Sequence, residues 1–325
     1  LDVAEPLTSV VTPVHNGEKF LIECIESVIG QRYQNWEYII VNNASTDRTG
    51  EIAEKYAKQD SRIKVCNTDS LLPIMQNWNH SLRQISRQSK YCKVVHADDW
   101  LFPDCLSEMV AIAEQAPRVG LVGAYGLQNS EVICGNGLPY PSSVIRGHEV
   151  CRLTLLKQTY PFLRPTCLLI RSDLIHSRNP FYNERISHAD VEVCYELLKN
   201  CDFGFVHQVL TFIRWHEDSV TLTFEKPWNK SILWNIDLLV KFGKDYLEQE
   251  EYNDQLNRYL ADYYKFLAKA SRGGMDPAFW EYHRKSLEEL GLSFSKWRIR
   301  VAYMLNFIVM VSNYLYTRMH WTSRP

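Results

Sequence analysis

The chain has 325 residues, 46% of them hydrophobic and 23% charged, with a formal net charge of −2. That length can bury a full core and fits one large domain, alone or with an appendage. A near-neutral charge without a long basic tract in the first two thirds argues against nucleic acid as a partner. Nine cysteines, an odd number with no C-x-x-C spacing, argue against a disulfide framework and a zinc site. Cys24, Cys66, Cys92, Cys167 and Cys194 sit in apolar positions as small hydrophobes, which points to a reducing compartment. The opening L-D-V-A-E-P has no charged-then-apolar leader pattern, so the expected location is cytoplasmic.

Residues 7–13 read as a first strand, ended by V-H-N-G. Residues 18–29 follow with a helical stripe at Phe20, Leu21, Cys24, Ile25, Val28 and Ile29. Residues 36–41 are a second strand running into N-N-A-S-T-D, and 51–59 a helix with Ser45 or Thr46 as its cap. Strands at 62–66, 91–95 and 120–127 alternate with helices at 75–85 and 105–116. Strand-then-helix alternation with short links predicts right-handed crossovers and a mostly parallel, doubly wound α/β sheet flanked by helices. Residues 128–143, rich in Gly, Asn, Pro and Ser, read as a loop over a site. Beyond it come a helix at 147–158, a buried strand at 166–170, a helix at 188–200 and strands at 203–206 and 209–215. Three amphipathic helices (228–242, 252–270, 277–290) then form a C-terminal helical extension.

The fourth strand runs straight into His96-Ala97-Asp98-Asp99. In open α/β sheets ligands bind beyond the carboxyl ends of strands, so these acids lie where such a protein works. Adjacent carboxylates repel unless a cation or a hydrogen-bond network holds them, and a hard divalent ion bridging to a diphosphate is the usual resolution. The plainer alternative is a helix cap, but Asp104 after Pro103 is the better cap for residues 105–116. No G-x-G-x-x-G and no G-x-x-x-x-G-K-[ST] is present, which excludes the usual dinucleotide and P-loop signatures. Two further clusters face the same edge: residues 12–17 and 42–47, whose short polar groups suit a base or ribose. Asp190 and the Arg214/His216 pair fall further along.

Read together, V-V-T-P-V-H-N-G-E-K-F-L, W-E-Y-I-I-V-N-N-A-S-T-D and H-A-D-D-W-L-F-P resemble the family 2 inverting glycosyltransferases with a GT-A fold, over about residues 7–221. The resemblance implies a nucleotide-diphosphate sugar donor, a divalent metal (Mn2+ or Mg2+), and transfer to a hydroxyl of a glycan or lipid-linked acceptor. It places Thr12, Pro13, His15 and Asn43 around the nucleoside, Asp98 at the ribose or metal, and Asp99 at the metal and diphosphate. It makes Asp190 the catalytic base. The R-x-H-x-x-S-x-T run matches Arg214, His216, Ser219 and Thr221, with Arg214 stabilising phosphate charge and His216 completing the metal shell. His188 is expected to be exposed.

The chain departs from the family pattern at Asn42-Asn43, where paired Asp is common, and at His15 for Tyr. His96 stands for the first Asp of D-x-D, and Ala189 stands beside the base. Two alternatives share the fold: a non-catalytic carbohydrate-binding protein, and a nucleotidyltransferase, which would want a Gly-rich basic loop that T-P-V-H-N-G does not supply.

The implied division is a catalytic domain at 1–225 and a helical region at 226–325. Within the first, residues 1–127 would bind the nucleotide and residues 128–225 the acceptor. Residues 296–325 carry Lys296, Arg298, Arg300, Arg318 and Arg324 and no acid, around an apolar stretch bracketed by Trp297 and Trp321. That stretch is shorter than the about 20 residues that span a bilayer. It reads as a helix lying on an anionic membrane surface, which would make the protein peripheral on the inner face, or as a packing helix or homodimer contact.

Overall fold

Apolar strand runs alternate with helical stripes along the first half of the chain, and the computed structural model turns them into elements in that order. It describes residues 5–162, 164–216 and 231–305. The parallel half of the sheet is β1 (Thr8–Val14), β2 (Trp36–Asn42), β3 (Ile63–Asn67) and β4 (Tyr91–Val94), linked by α1 (Leu21–Ile29), α2 (Thr49–Ala57) and α3 (Ile74–Leu82). Side chains alternate across it as a strand requires. Val10, Tyr38 and Ile40 join the core under α1, while Val11, Ile39 and Val41 are buried on the opposite face, where α3 packs on β1 and β2.

The second half departs from simple alternation. It comprises β5 (Trp100–Leu101), α4 (Cys105–Gln115), β6 (Val119–Gln128), β7 (Glu131–Ile133), β8 (Val144–Ile145), α5 (Gly147–Leu155), β9 (Leu168–Arg171), α6 (Ser172–His176), α7 (Ala189–Leu197) and β10 (Asp202–Ile213). The sheet order is β3-β2-β1-β4-β9-β6-β10-β5, with β7 on β6 and β8 on β10. The expected strand at 166–170 begins as a 3-10 turn and enters the sheet as β9, antiparallel to both β4 and β6. The two strands expected at 203–206 and 209–215 are one strand, β10, whose register slips between Val206 and Val209. The expected loop at 128–143 contains the short hairpin of β6 and β7. Parallel pairing still dominates, since each antiparallel ladder covers only two or three residue pairs.

The chain divides into two compact units, Leu1–His216 and Glu217–Pro325. In the second, α8 (Ser231–Tyr246), α9 (Gln249–Ala270) and α10 (Pro277–Glu289) are followed by a helix over 296–305. Asp276 caps α10 by accepting the Ala278 N–H at 2.7 Å, with Pro277 in the first turn. Buried Tyr263 and His283 bond each other at 3.1 Å between α9 and α10. Ser219, Thr221 and the run after residue 305, with Arg318, Trp321 and Arg324, lie outside the described residues. Among those described, no helix is long and apolar enough to cross a membrane, and all nine cysteines are free thiols.

The start of α5 is fixed by a close backbone approach: a Cβ on Gly147 would run into the carbonyl oxygens of Leu198 and Cys201. Gly147→Ala should therefore lower unfolding free energy by about 1–3 kcal/mol, as overpacked sites do, read by thermal or urea denaturation.

Candidate active site

The site grows from the carboxyl end of β4. Val95 still bonds β1, its N–H donating to Val11 O at 2.9 Å; the chain then turns, with Asp99 N–H closing onto His96 O at 3.0 Å. Asp99 is only 4% exposed, so its carboxylate must find protein donors. It finds two. The Thr166 hydroxyl donates to Oδ2 at 2.6 Å and the Arg214 backbone N–H to Oδ1 at 3.0 Å.

Thr166 arrives because β9 runs backwards, and Arg214 because β10, parallel to β6, ends at this edge with β5 running back along it. β9 is antiparallel to β4 with Lys93 opposite Leu169. Continuing that register sets His96 opposite Thr166, and the His96 N–H does donate to Thr166 Oγ1, at 3.3 Å. In a parallel strand Thr166 would lie at the other edge of the sheet. Likewise β5 is antiparallel to β10, with Leu101 opposite Thr211 and Trp100 opposite Phe212. The rings of Trp100 and Phe212 stack at 3.8 Å. The continued register brings Arg214 opposite Asp98, and Arg214 Nε donates to Asp98 O at 3.0 Å. Its guanidinium lies 4.2 Å from the Phe20 ring centre and forms an ion pair with Glu23. His216 Nε2 meets Asp98 Oδ2 at 2.9 Å; a carboxylate only accepts, so Nε2 donates, and Nδ1 is buried without a partner among the described residues.

Two adjacent acids, one of them buried, carry an electrostatic cost. Burial, with Asp98 beside it, pushes the Asp99 carboxyl well above the usual carboxylate range, against the two hydrogen bonds that lower it. Burial pulls the His96 imidazole down, keeping it neutral. His96 Nε2 is likewise buried and, among the described residues, unpartnered. One ligand atom each from His96, Asp98 and Asp99 lie within 4.8 Å of one another. Two carboxylates, a neutral imidazole and orphaned ring nitrogens are a donor set that fits a divalent cation. Asp104 sits at the N-cap of α4 but does not cap it. Its carboxylate pairs with Arg32 at 2.7 Å instead.

Asp190 is in the first turn of α7, whose N-cap residue is His188; that histidine is buried, not exposed as its sequence context suggested. Burial raises the Asp190 carboxyl to about 6, against the helix N–H groups of Val191 and Asp190 itself and the nearby His188 and Arg164. Three residues without a sequence signal link Asp190 to the acid turn. The Trp78 ring lies 4.7 Å from that of His96 and 5.6 Å from that of Tyr182, and the Asp190 charge reaches Tyr182. Arg164 acts on both His96 and Asp190. Asn79 clamps the 182–184 segment to α3: its Oδ1 accepts the Tyr182 N–H at 2.8 Å and its Nδ2 donates to Tyr182 O at 2.9 Å. Trp78 and Asn79 fall inside an amphipathic helix, where sequence reads only core.

The residues expected around a nucleoside are less uniformly placed. His15 is exposed, with Nδ1 donating to Asn43 O at 2.8 Å. Thr12 and Pro13 are buried in β1, and the Thr12 hydroxyl bonds Tyr38 Oη at 2.8 Å inside the core. The Asn43 carboxamide pins the 68–72 loop: Oδ1 accepts from Leu72 N–H at 2.8 Å and from the Thr68 hydroxyl at 3.2 Å, while Nδ2 donates to Leu72 O at 2.9 Å. Asn42 donates to Asn67 Oδ1 at 2.8 Å.

Residues 9–174, half of the chain, match the sequence model of glycosyl transferase family 2. The chain belongs to this family. Among relatives of this glycosyltransferase, the glycosyltransferase GlyG of Streptococcus pneumoniae is 26% identical over 241 residues, covering 70% of this chain and 77% of GlyG. An uncharacterized glycosyltransferase of Haemophilus influenzae is 28% identical over 74% of this chain and 90% of its own length. Among solved structures, S. aureus TarS 1-349 in complex with UDP-GlcNAc superposes with a TM-score of 0.66 at 14% identity, over 96% of this chain and 92% of that one. The mannosyltransferase PcManGT from Pyrobaculum calidifontis, in complex with GDP-Man and Mn2+, gives 0.55 at 12% identity, over 99% and 91%. These likenesses show the fold of the glycosyltransferase, a mixed α/β GT-A architecture.

A carboxyl whose folded value is raised makes the fold less stable as pH rises from its unfolded to its folded pKa. For Asp190 that window runs from the ordinary carboxylate range to about 6. Asp190→Asn should therefore have a higher Tm than the wild type at pH 7.5, and the gap should shrink toward pH 4.

Proposed function

We propose that this glycosyltransferase moves a sugar from a nucleoside-diphosphate donor to a hydroxyl of a glycan or lipid-linked acceptor, in one inverting displacement with Asp190 as general base. The observation that carries the reading is the convergence of Asp98, Asp99, Arg214 and His216 at one strand tip, from positions up to 118 residues apart. Donors of this class are what the TarS and PcManGT complexes hold. Residues 1–127 would bind the nucleotide, with exposed His15 facing it while buried Thr12, Pro13 and Asn43 shape the strand ends that carry it, and residues 128–225 the acceptor.

Asp98 and Asp99, with His96 and His216, would hold Mn2+ or Mg2+, which when bound offsets charge on the diphosphate. The imidazole share favours Mn2+ over Mg2+. Arg214, paired with the exposed carboxylate of Glu23, can turn that guanidinium to the departing phosphate oxygens. On the acceptor side Asp190 takes the proton of the attacking hydroxyl. As that oxygen bonds the anomeric carbon from the far face, the bond from this carbon to the diphosphate oxygen breaks, and its electron pair leaves with the nucleoside diphosphate. No enzyme nucleophile is needed, so configuration inverts. A base whose pKa is held at about 6 by burial is ionised at neutral pH yet still basic enough to act.

A panel of UDP- and GDP-sugars incubated with the protein and Mn2+ tests the class. One donor should be turned over to nucleoside diphosphate, where a binding protein would retain it intact and a nucleotidyltransferase would consume it only with added pyrophosphate, giving nucleoside triphosphate and sugar 1-phosphate. Asp190→Asn should bind that donor with unchanged affinity by calorimetry and lose transfer by about 10²–10⁴-fold. Asp99→Ala should lose transfer with its circular dichroism intact. Undiminished turnover in the first variant would reassign the base.

For the C-terminal region (226–325) we infer contact with an anionic membrane surface. The helix over 296–305 leaves Trp297, Met304 and Leu305 exposed, the first at 66%, in helical spacing beside exposed Lys296, Arg298 and Arg300. Truncation before Lys296 should abolish sedimentation with phosphatidylserine vesicles and spare binding-independent transfer to soluble acceptors. Unchanged sedimentation, or a dimer lost on truncation instead, would overturn it.

A further inference from the structure

Lys93, in the middle of β4, is wholly buried. Among the described residues its ammonium finds a backbone carbonyl and a thioether rather than a carboxylate: Nζ donates to Thr166 O at 2.6 Å and to Met109 Sδ at 3.4 Å. Removing an ammonium from water costs several kcal/mol, which one carbonyl and a weak sulfur acceptor do not offset. A methionine would fill the same space without that cost, so packing does not account for the charge.

The acceptor of that bond has a second role. Thr166 receives the Lys93 ammonium on its carbonyl and donates its hydroxyl to Asp99 Oδ2, at 2.6 Å. It also accepts the His96 N–H, at 3.3 Å. One turn residue therefore ties a buried positive charge to both ends of the His96–Asp99 segment. The Arg214 N–H fixes the second Asp99 oxygen at 3.0 Å, so neither oxygen is free to rotate. We propose that Lys93 and Thr166 are positioning residues for cation binding. Lys93 anchors the turn through the Thr166 carbonyl, and the Thr166 hydroxyl orients Asp99 as a ligand. This rests on the reading that Asp98 and Asp99 hold a divalent ion, and it adds two residues that never touch that ion or the substrate.

The experiment titrates Mn2+ alone into the full chain at fixed pH and reads free Mn2+ by electron paramagnetic resonance, with Tm recorded for every variant. Outer partners of metal ligands typically contribute about 10–100-fold in affinity. Thr166→Val should weaken Mn2+ binding by that factor, and Thr166→Ser, which keeps the hydroxyl, should restore it. Lys93→Met should also weaken binding while its Tm holds or rises, a split that a purely structural lysine would not give. If Thr166→Val fails to fold, the Lys93→Met and Thr166→Ser arms decide. Wild-type protein that takes up no Mn2+, or an Asp98→Asn variant that takes it up undiminished, overturns the metal reading and this inference with it. Wild-type binding that is lost in Asp98→Asn but kept in both Thr166→Val and Lys93→Met overturns this inference alone.

Discussion

A carboxylate removed from water must have its oxygens met by donors, and the architecture around Asp99 follows from that requirement. Asp99 stands at the tip of β4 with almost no solvent contact, held by the Thr166 hydroxyl and the Arg214 amide. Neither donor is local in sequence; they lie 67 and 115 residues further on. A purely parallel sheet brings strand tips together at one edge but offers each tip only the loops that follow it. Two reversed strands change this: β9 presents its starting end to the turn, and β5 runs back from it along β10, whose finishing end reaches the same edge because β10 is parallel to β6.

Register then does most of the placing. In each ladder a shift by one residue would turn the partner to the other face of the sheet. The short β5–β10 ladder is guarded against such slippage by the Trp100–Phe212 stack, and the Arg214 guanidinium packs on Phe20 from the same side. The ladder of two pairs is weak by itself; the aromatic contact and the Arg214–Glu23 pair supply what its hydrogen bonds lack. A ligand's charge therefore reaches a preformed turn whose side chains have little rotational freedom left to lose.

Much of this is legible in the residues. Alternating apolar runs give the order of β1 to β4 and β6, though not the short β5, and the acids of H-A-D-D at a strand end mark the candidate site. Asp190 is visible as an acid opening a helix, and Arg214 with His216 as a spaced pair. What stays hidden is long-range. Nothing in T-C-L-L-I says that its strand runs antiparallel, because direction depends on which neighbours it joins and not on its own side chains. Thr166 and Lys93 therefore look like ordinary members of buried strands. Trp78 is absorbed by the stripe of its helix. Asn43 looks like a base-reading residue in the sequence, yet its carboxamide closes the 68–72 loop. Asp104 has the right position for a cap and a better partner elsewhere, in Arg32.

The two acidic centres are tuned by the same force to different ends. Desolvation raises both Asp99 and Asp190, but their surroundings differ. Asp99 has another carboxylate beside it and an imidazole nitrogen without a partner among the described residues, so its high proton affinity would be relieved by a cation. Asp190 has helix N–H groups and the nearby Arg164 and His188, which oppose its burial and hold it at about 6, leaving an anion at neutral pH with appreciable basicity. The two chemically identical side chains thus sit in environments that push their proton affinities apart, the condition under which a pair of carboxyls can take different roles.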